Sequence, residues 1–106
     1  MKQMMTASLL ALAFTTAQAQ TDESVQFCTQ MAGMADSIMD ARQAGVSMDK
    51  MYGVSSGNEE VDKMARLLVR MSFAKPQMYT NDAKARMVSE FRSDTFARCI
   101  EARKNK

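Results

Sequence analysis

The chain has 106 residues, 14 of them Lys or Arg and 12 Asp or Glu, with no histidine, no tryptophan, one proline and two cysteines. A length of this order holds one core and not two. A formal charge of +2 lacks the basic excess that a nucleic-acid partner calls for, and without histidine there is no Ser-His or Cys-His nucleophile pair.

The chain opens as a secretory signal peptide does. Lys2 supplies the positive start, an apolar run of 13 residues extends from Met4 to Thr16, and Ala17-Gln18-Ala19 places small residues at both positions a signal peptidase reads. The run falls short of the roughly 20 residues needed to cross the hydrocarbon, which disfavours the alternative of an uncleaved anchor. Cleavage is expected after Ala19. No cysteine follows the cut directly, so lipoprotein processing is not expected, and the layout points to the bacterial periplasm. Residues 1–19 are thus expected to be a leader and 20–106 a single helical domain. Setting Lys2 aside, that domain carries 13 basic and 12 acidic residues.

Helical spacing dominates the rest, and strand-like alternation is absent. A first helix is expected from Asp22 to Gln43, with Thr21 as its cap and Asp22 and Glu23 on the positive end of the dipole. Cys28, Met31, Ala32, Ala35, Ile38 and Met39 fall on one face. Gln26, Gln30, Gly33, Ser37 and Asp40 fall opposite, and Gly45 is a natural stop. Ser47 is placed to cap a short helix over Met48–Val54. Ser56 and Glu59 have capping-box spacing before a third helix over Asn58–Ala74. Its stripe is Val61, Met64, Ala65, Leu68 and Met71, widened by Leu67, and Pro76 closes it. Thr80 or Asn81 caps a last helix that runs to about Arg103. There Val88, Phe91, Thr95, Phe96 and Cys99 share a face, while Asp82, Arg86, Glu90, Asp94 and Arg98 form a solvated row.

Cys28 and Cys99 lie near opposite ends of the exported part. In an oxidising compartment two cysteines read as one intrachain disulfide, the alternative being two buried thiols. The closed loop of about 70 residues corresponds to roughly 4 kcal/mol in the chain-entropy description, a large share of what so small a domain has. The expected fold is all-α: three long helices and one short helix around one core, with the bond clamping the first helix to the last.

Nine methionines lie beyond the leader. Met31/Met34 and Met48/Met51 have M-x-x-M spacing, and thioethers favour Cu(I). Against copper stand the missing histidine and cysteines engaged with each other. Most of the methionines also fall where an apolar residue is wanted, and methionine fills irregular core gaps well. No cofactor and no metal site is therefore expected. Methionine also serves adaptable binding surfaces. Met34, Met48, Met51 and Tyr52 are candidates for such a surface, with Met78 a further methionine to follow. Paired carboxylates, Asp36/Asp40 and Glu59/Glu60, fall on outward faces where no cleft flanks them, so no catalytic residue is assigned.

Arg92 falls near the centre of the face carrying Val88, Thr95 and Cys99. A charge there must pair or snorkel. It is expected to bridge to an acid on another helix or to lay its stem along the core edge, the alternative being an anchor for a partner's carboxylate. Arg42 poses the same question at a helix C-terminus, where cations are welcome. The tail Arg103-Lys104-Asn105-Lys106 is expected to fray.

Cys28-x-x-Met31, Ala41-Arg42-Gln43-x-Gly45-Val46-Ser47-Met48, Phe73-x-x-Pro76 and Phe91-x-x-x-x-Phe96-x-x-Cys99 together resemble a group of small exported proteins of proteobacteria and their phages. The resemblance covers Cys28 to Cys99. It implies export, helices and the disulfide, but no biochemical function and no site residues. A looser likeness, in size and architecture alone, is to acid-stress periplasmic chaperones. The leading expectation is a non-enzymatic protein that binds an envelope protein through a helical face. The alternatives are a chaperone that opens at low pH and a Cu(I) carrier.

Overall fold

In the computed structural model the backbone is described for residues 5–104 and the side chains for residues 22–104. Four helices follow in order: α1 (Met5–Gln43), α2 (Met48–Tyr52), α3 (Glu59–Phe73) and α4 (Asn81–Lys104), with no strand among the described residues. Of the expected leader, residues 1–4 lie outside the described residues, as do Asn105 and Lys106 of the tail.

Thr21 does not open the first helix. α1 runs unbroken through it from Met5, because no proline or glycine interrupts the chain before Gly33 and the Ala- and Leu-containing run is itself a good helix former. The C-terminal end is where the sequence puts it. Gly45 has φ +92°, its N–H donates to Arg42 O, and Val46 N–H donates to Ala41 O. This is a Schellman arrangement, which glycine adopts without a Cβ penalty.

α2 is shorter than the expected Met48–Val54 and stops at Tyr52. Ser47 stands at its N-cap position but makes no side-chain cap bond. The Asp49 carboxyl lies below the ordinary aspartate range, chiefly because of the neighbouring Ser47 hydroxyl. α3 is capped by Asn58 and not by Ser56: the Asn58 Oδ1 accepts from the N–H groups of Glu60 and Val61. The Asn58 side chain reaches those donors from directly beside them, while Ser56 is drawn to Asp62. α4 is capped by Thr80, whose Oγ1 accepts from Ala83 N–H at 3.1 Å.

α1 is the spine. It packs most extensively along α4 and less along α3; α2 rests on α3, and α3 and α4 barely meet. Ser24 meets Arg103, Cys28 meets Cys99 and Asp36 meets Arg92. The pairs step in opposite directions, so α1 and α4 are antiparallel. The Cys28–Cys99 disulfide joins them with a Cα–Cα separation of 5.5 Å. Such a bond belongs to an oxidising compartment outside the cytoplasm.

The buried line of α1 is Cys28, Ala32, Ala35, Met39 and Gln43. Ala35 and Met39 cluster with Leu68 and Phe91, and Met31, Met34, Ile38, Met71, Met87 and Val88 pack around them. The small alanines let the helices approach, and the methionines fill the remaining gaps. On α3 the sequence reading needs correction. Leu67 is 47% exposed, whereas Val69 and Ser72 are buried. α3 is turned so that its Val69 side, and not its Leu67 side, faces α1. Ser72 is tolerated inside because its hydroxyl donates to Val69 O at 2.7 Å.

Candidate functional site

α3 touches α1 but scarcely touches α4, and an open groove floored by α1 lies on each of its flanks. The first lies between α1, α2 and α3 and has a volume of about 320 Å³. Met34, Ile38 and Ala41 of α1, Met51 of α2, Val54, and Val61, Ala65 and Val69 of α3 line it. The second lies between α3 and α4, holds about 370 Å³, and is lined by Phe27, Met31, Met64, Leu67, Leu68, Met71, Thr95, Arg98, Cys99, Ala102 and Arg103. Cavities of this size, apolar and with few polar groups, match the general form of binding clefts.

The mouth of the first groove is tied by a serine strap. Ser56 N–H and Ser56 Oγ donate to Asp62 Oδ1 at 2.9 and 2.8 Å, and Ser55 Oγ donates to Asp62 Oδ2 at 3.1 Å. The backbone N–H of Ser56 lowers the carboxyl pKa most, followed by the hydroxyls of Ser56 and Ser55 and the charge of Arg66. Gly57, at φ +86°, makes the tight turn that brings the serines back over Asp62.

The expected partner residues do not form one patch. Met34 and Met51 line the first groove. Met48 is exposed and Tyr52 half-buried, both on α2 beside that groove. Arg92 sits elsewhere: its Nη1 meets Asp36 Oδ2 at 3.4 Å, with side-chain exposures of 44% and 41%. It is therefore at the rim of the α1–α4 seam and not at its centre, because the buried line of α4 passes through Phe91 and Thr95 and the next residue is rotated about 100° away. The bridge to an acid on another helix is present. Each M-x-x-M pair is divided, with Met31 in the second groove and Met34 in the first, and Met51 in the first while Met48 faces outward. Among the described residues no group of three or more His, Cys, Asp or Glu side chains converges as metal ligands do.

Two positions matter more than their sequence suggests. Gln43, 2% exposed, donates to Pro76 O at 3.0 Å and accepts from Met78 N–H at 2.7 Å, and its own carbonyl accepts from Gln77 Nε2. It fastens the end of α1 to the α3–α4 connection, which is why Met78 is half-buried and not part of an exposed patch. The signal was present: Gln43 falls four residues after Met39 on the same stripe. Arg103 is not frayed. Its guanidinium stacks 4.5 Å from the centre of the Phe27 ring and its Nε donates to Ser24 Oγ. Arg42 is held similarly, 4.5 Å over Phe73 with Nη2 donating to Lys75 O. Such stacking holds both cations over apolar surface.

No family model, no curated protein and no solved structure matches this chain. No helix among the described residues is long and apolar enough to cross a membrane.

Proposed function

We propose that the chain is exported to the periplasm, is cut after Ala19, and acts there as a non-enzymatic protein that binds a protein partner of the cell envelope. The observation that carries this reading is the half-covered state of α3, which packs on α1 but leaves an apolar groove on each flank, with Val54 71% and Leu67 47% exposed at their edges. Contiguous exposed apolar surface on a small soluble domain marks an interaction site. The disulfide supports export, as does the likeness to small exported single-disulfide proteins of proteobacteria and phages. The test is photo-crosslinking in living cells from probes at Val54, Met51 and Leu67, with Arg86 on the outer row of α4 as control. Discrete adducts from the groove positions and none from Arg86 are expected. Identical labelling at all four positions would end the partner reading. Cell fractionation with N-terminal sequencing checks export, the expected first residue being Gln20.

One observation favours a second reading, an acid-activated chaperone. The Asp62 strap at the edge of the first groove depends on an ionised carboxylate, so acid loosens it. Binding of a hydrophobic dye between pH 7 and pH 2 discriminates: no rise on acidification eliminates the chaperone and leaves partner binding as it stands.

A further inference from the structure

We infer that the groove between α3 and α4 is a seat for an acidic amphipathic helix of another protein; this rests on the partner-binding reading and adds the chemistry of the partner. The shape argues first. α3 and α4 both pack on α1 and barely on each other, which leaves vacant the position opposite α1 where a four-helix bundle places its fourth member. The floor is Phe27 and Met31, and Leu67 stands half out of water on the α3 wall. Helix-in-groove recognition uses this combination of apolar floor and open trough, here about two helical turns long, and thioether side chains repack around different knobs.

Charge then selects the occupant. Arg98 and Arg103 line the groove and no carboxylate does. On the α3 wall, Lys63, Leu67 and Arg70 follow i, i+4, i+7 spacing and so share a face, with both cations exposed. The acids near this rim are Glu60, one turn before Lys63, Asp94, which already holds Arg98 Nε at 3.1 Å, and Glu101, which faces Lys104 Nζ at 3.8 Å. Each guanidinium has five N–H donors in a fixed fork, and Arg103 directs its Nε to Ser24 while Phe27 braces its plane. Two arginines on one wall, of which Arg103 is braced on Phe27, and two cations on the other repel a second copy presenting the same rim, and match carboxylates flanking an apolar stripe.

The experiment uses the purified oxidised protein and two synthetic 20-residue helical peptides. Both carry Leu at i, i+3, i+4, i+7; one has Glu on the flanks and the other has Lys at the same places. Fluorescence anisotropy is expected to show the Glu peptide binding at least tenfold tighter than its Lys twin, with the preference shrinking as salt rises. Arg98→Glu is expected to reduce the preference at least fivefold. Leu67→Asp, at a half-exposed position, is expected to abolish binding, and Ala102→Trp, which fills the trough, to do the same; circular dichroism confirms that both variants remain helical. Equal binding of the two peptides, or binding indifferent to Leu67→Asp and Ala102→Trp, overturns the inference. So does a dimer in sedimentation velocity that Leu67→Asp disperses, since a second copy would then occupy the seat. If the peptides fail while cellular crosslinks from Val54 and Met51 persist, this inference falls and the broader partner reading stands.

Discussion

The α1–α4 seam and α3 are made from the same ingredients and are held very differently. The seam is antiparallel, stapled near one end by Cys28–Cys99, crossed by Arg103 to Ser24 and by Arg92 to Asp36, and filled by Ala32, Ala35, Phe91 and Thr95. α3 has no covalent tie of its own. It is held by Leu68, Val69 and Ser72 against α1, by the Asn58 cap and serine strap at its start, and by Gln43 at the connection that follows it. Local stability tracks buried apolar contact, so of these two regions α3 opens first. In a domain this small the part free to meet a partner is also the part least firmly held.

The largest effect expected from breaking this contrast comes from the staple. Replacing Cys28 and Cys99 with serine is expected to cost about 4 kcal/mol, read as a fall in the denaturation midpoint, and to bring the seam's hydrogen exchange down toward that of α3. Next comes Phe91→Ala, which empties the one large aromatic of the central cluster and is expected to cost about 3 kcal/mol, seen equally in the protection of α1 and α4. Gln43→Ala leaves the Pro76 carbonyl and the Met78 N–H without their partner and is expected to cost about 2 kcal/mol. It sharpens the contrast, because exchange in α3 should quicken while the seam is unchanged. A double-mutant cycle on Asp36 and Arg92, both well exposed, should return a coupling of about 0.5 kcal/mol. The smallest effect is confined to the strap. The folded pKa of Asp62 lies below its ordinary value of 3.8, so its contribution is complete above that value and is lost as pH falls through the lowered one. Exchange at the Ser56 amide should accelerate only there, and Asp62→Asn should remove the pH dependence.

Much of this was legible from residue spacing. The presence of four helices, the Gly45 stop and a cap at Thr80 or Asn81 follow from local chemistry, and the disulfide between the first and last helices from the one pairing that two cysteines allow. What escaped was decided by tertiary contact. Leu67 and Val69 are both apolar and flank Leu68, so periodicity alone could not say which way α3 is turned; the floor supplied by α1 decided it. Arg92 was placed at the centre of a face because the true buried line, through Phe91 and Thr95, is narrower than the stripe suggested. Ser56 has the right spacing for a cap, but Asp62 competes for it, and Asn58 needs no help. The second groove was invisible in the sequence because it comes from a contact that α3 and α4 do not make, and the first because three separate elements, α1, α2 and α3, frame it. Met34 and Met51 were found there through their residue type, while Met48 and Arg92 were not drawn in.

The disulfide spans 71 residues, and α2 and α3 lie wholly within that span. The oxidised chain is a closed ring with α1 and α4 as its clasp, so an α3 that peels away remains moored at both ends. Its recapture then runs at an effective concentration on the order of millimolar. The ring therefore rebuilds the α3 wall of both grooves each time that helix opens.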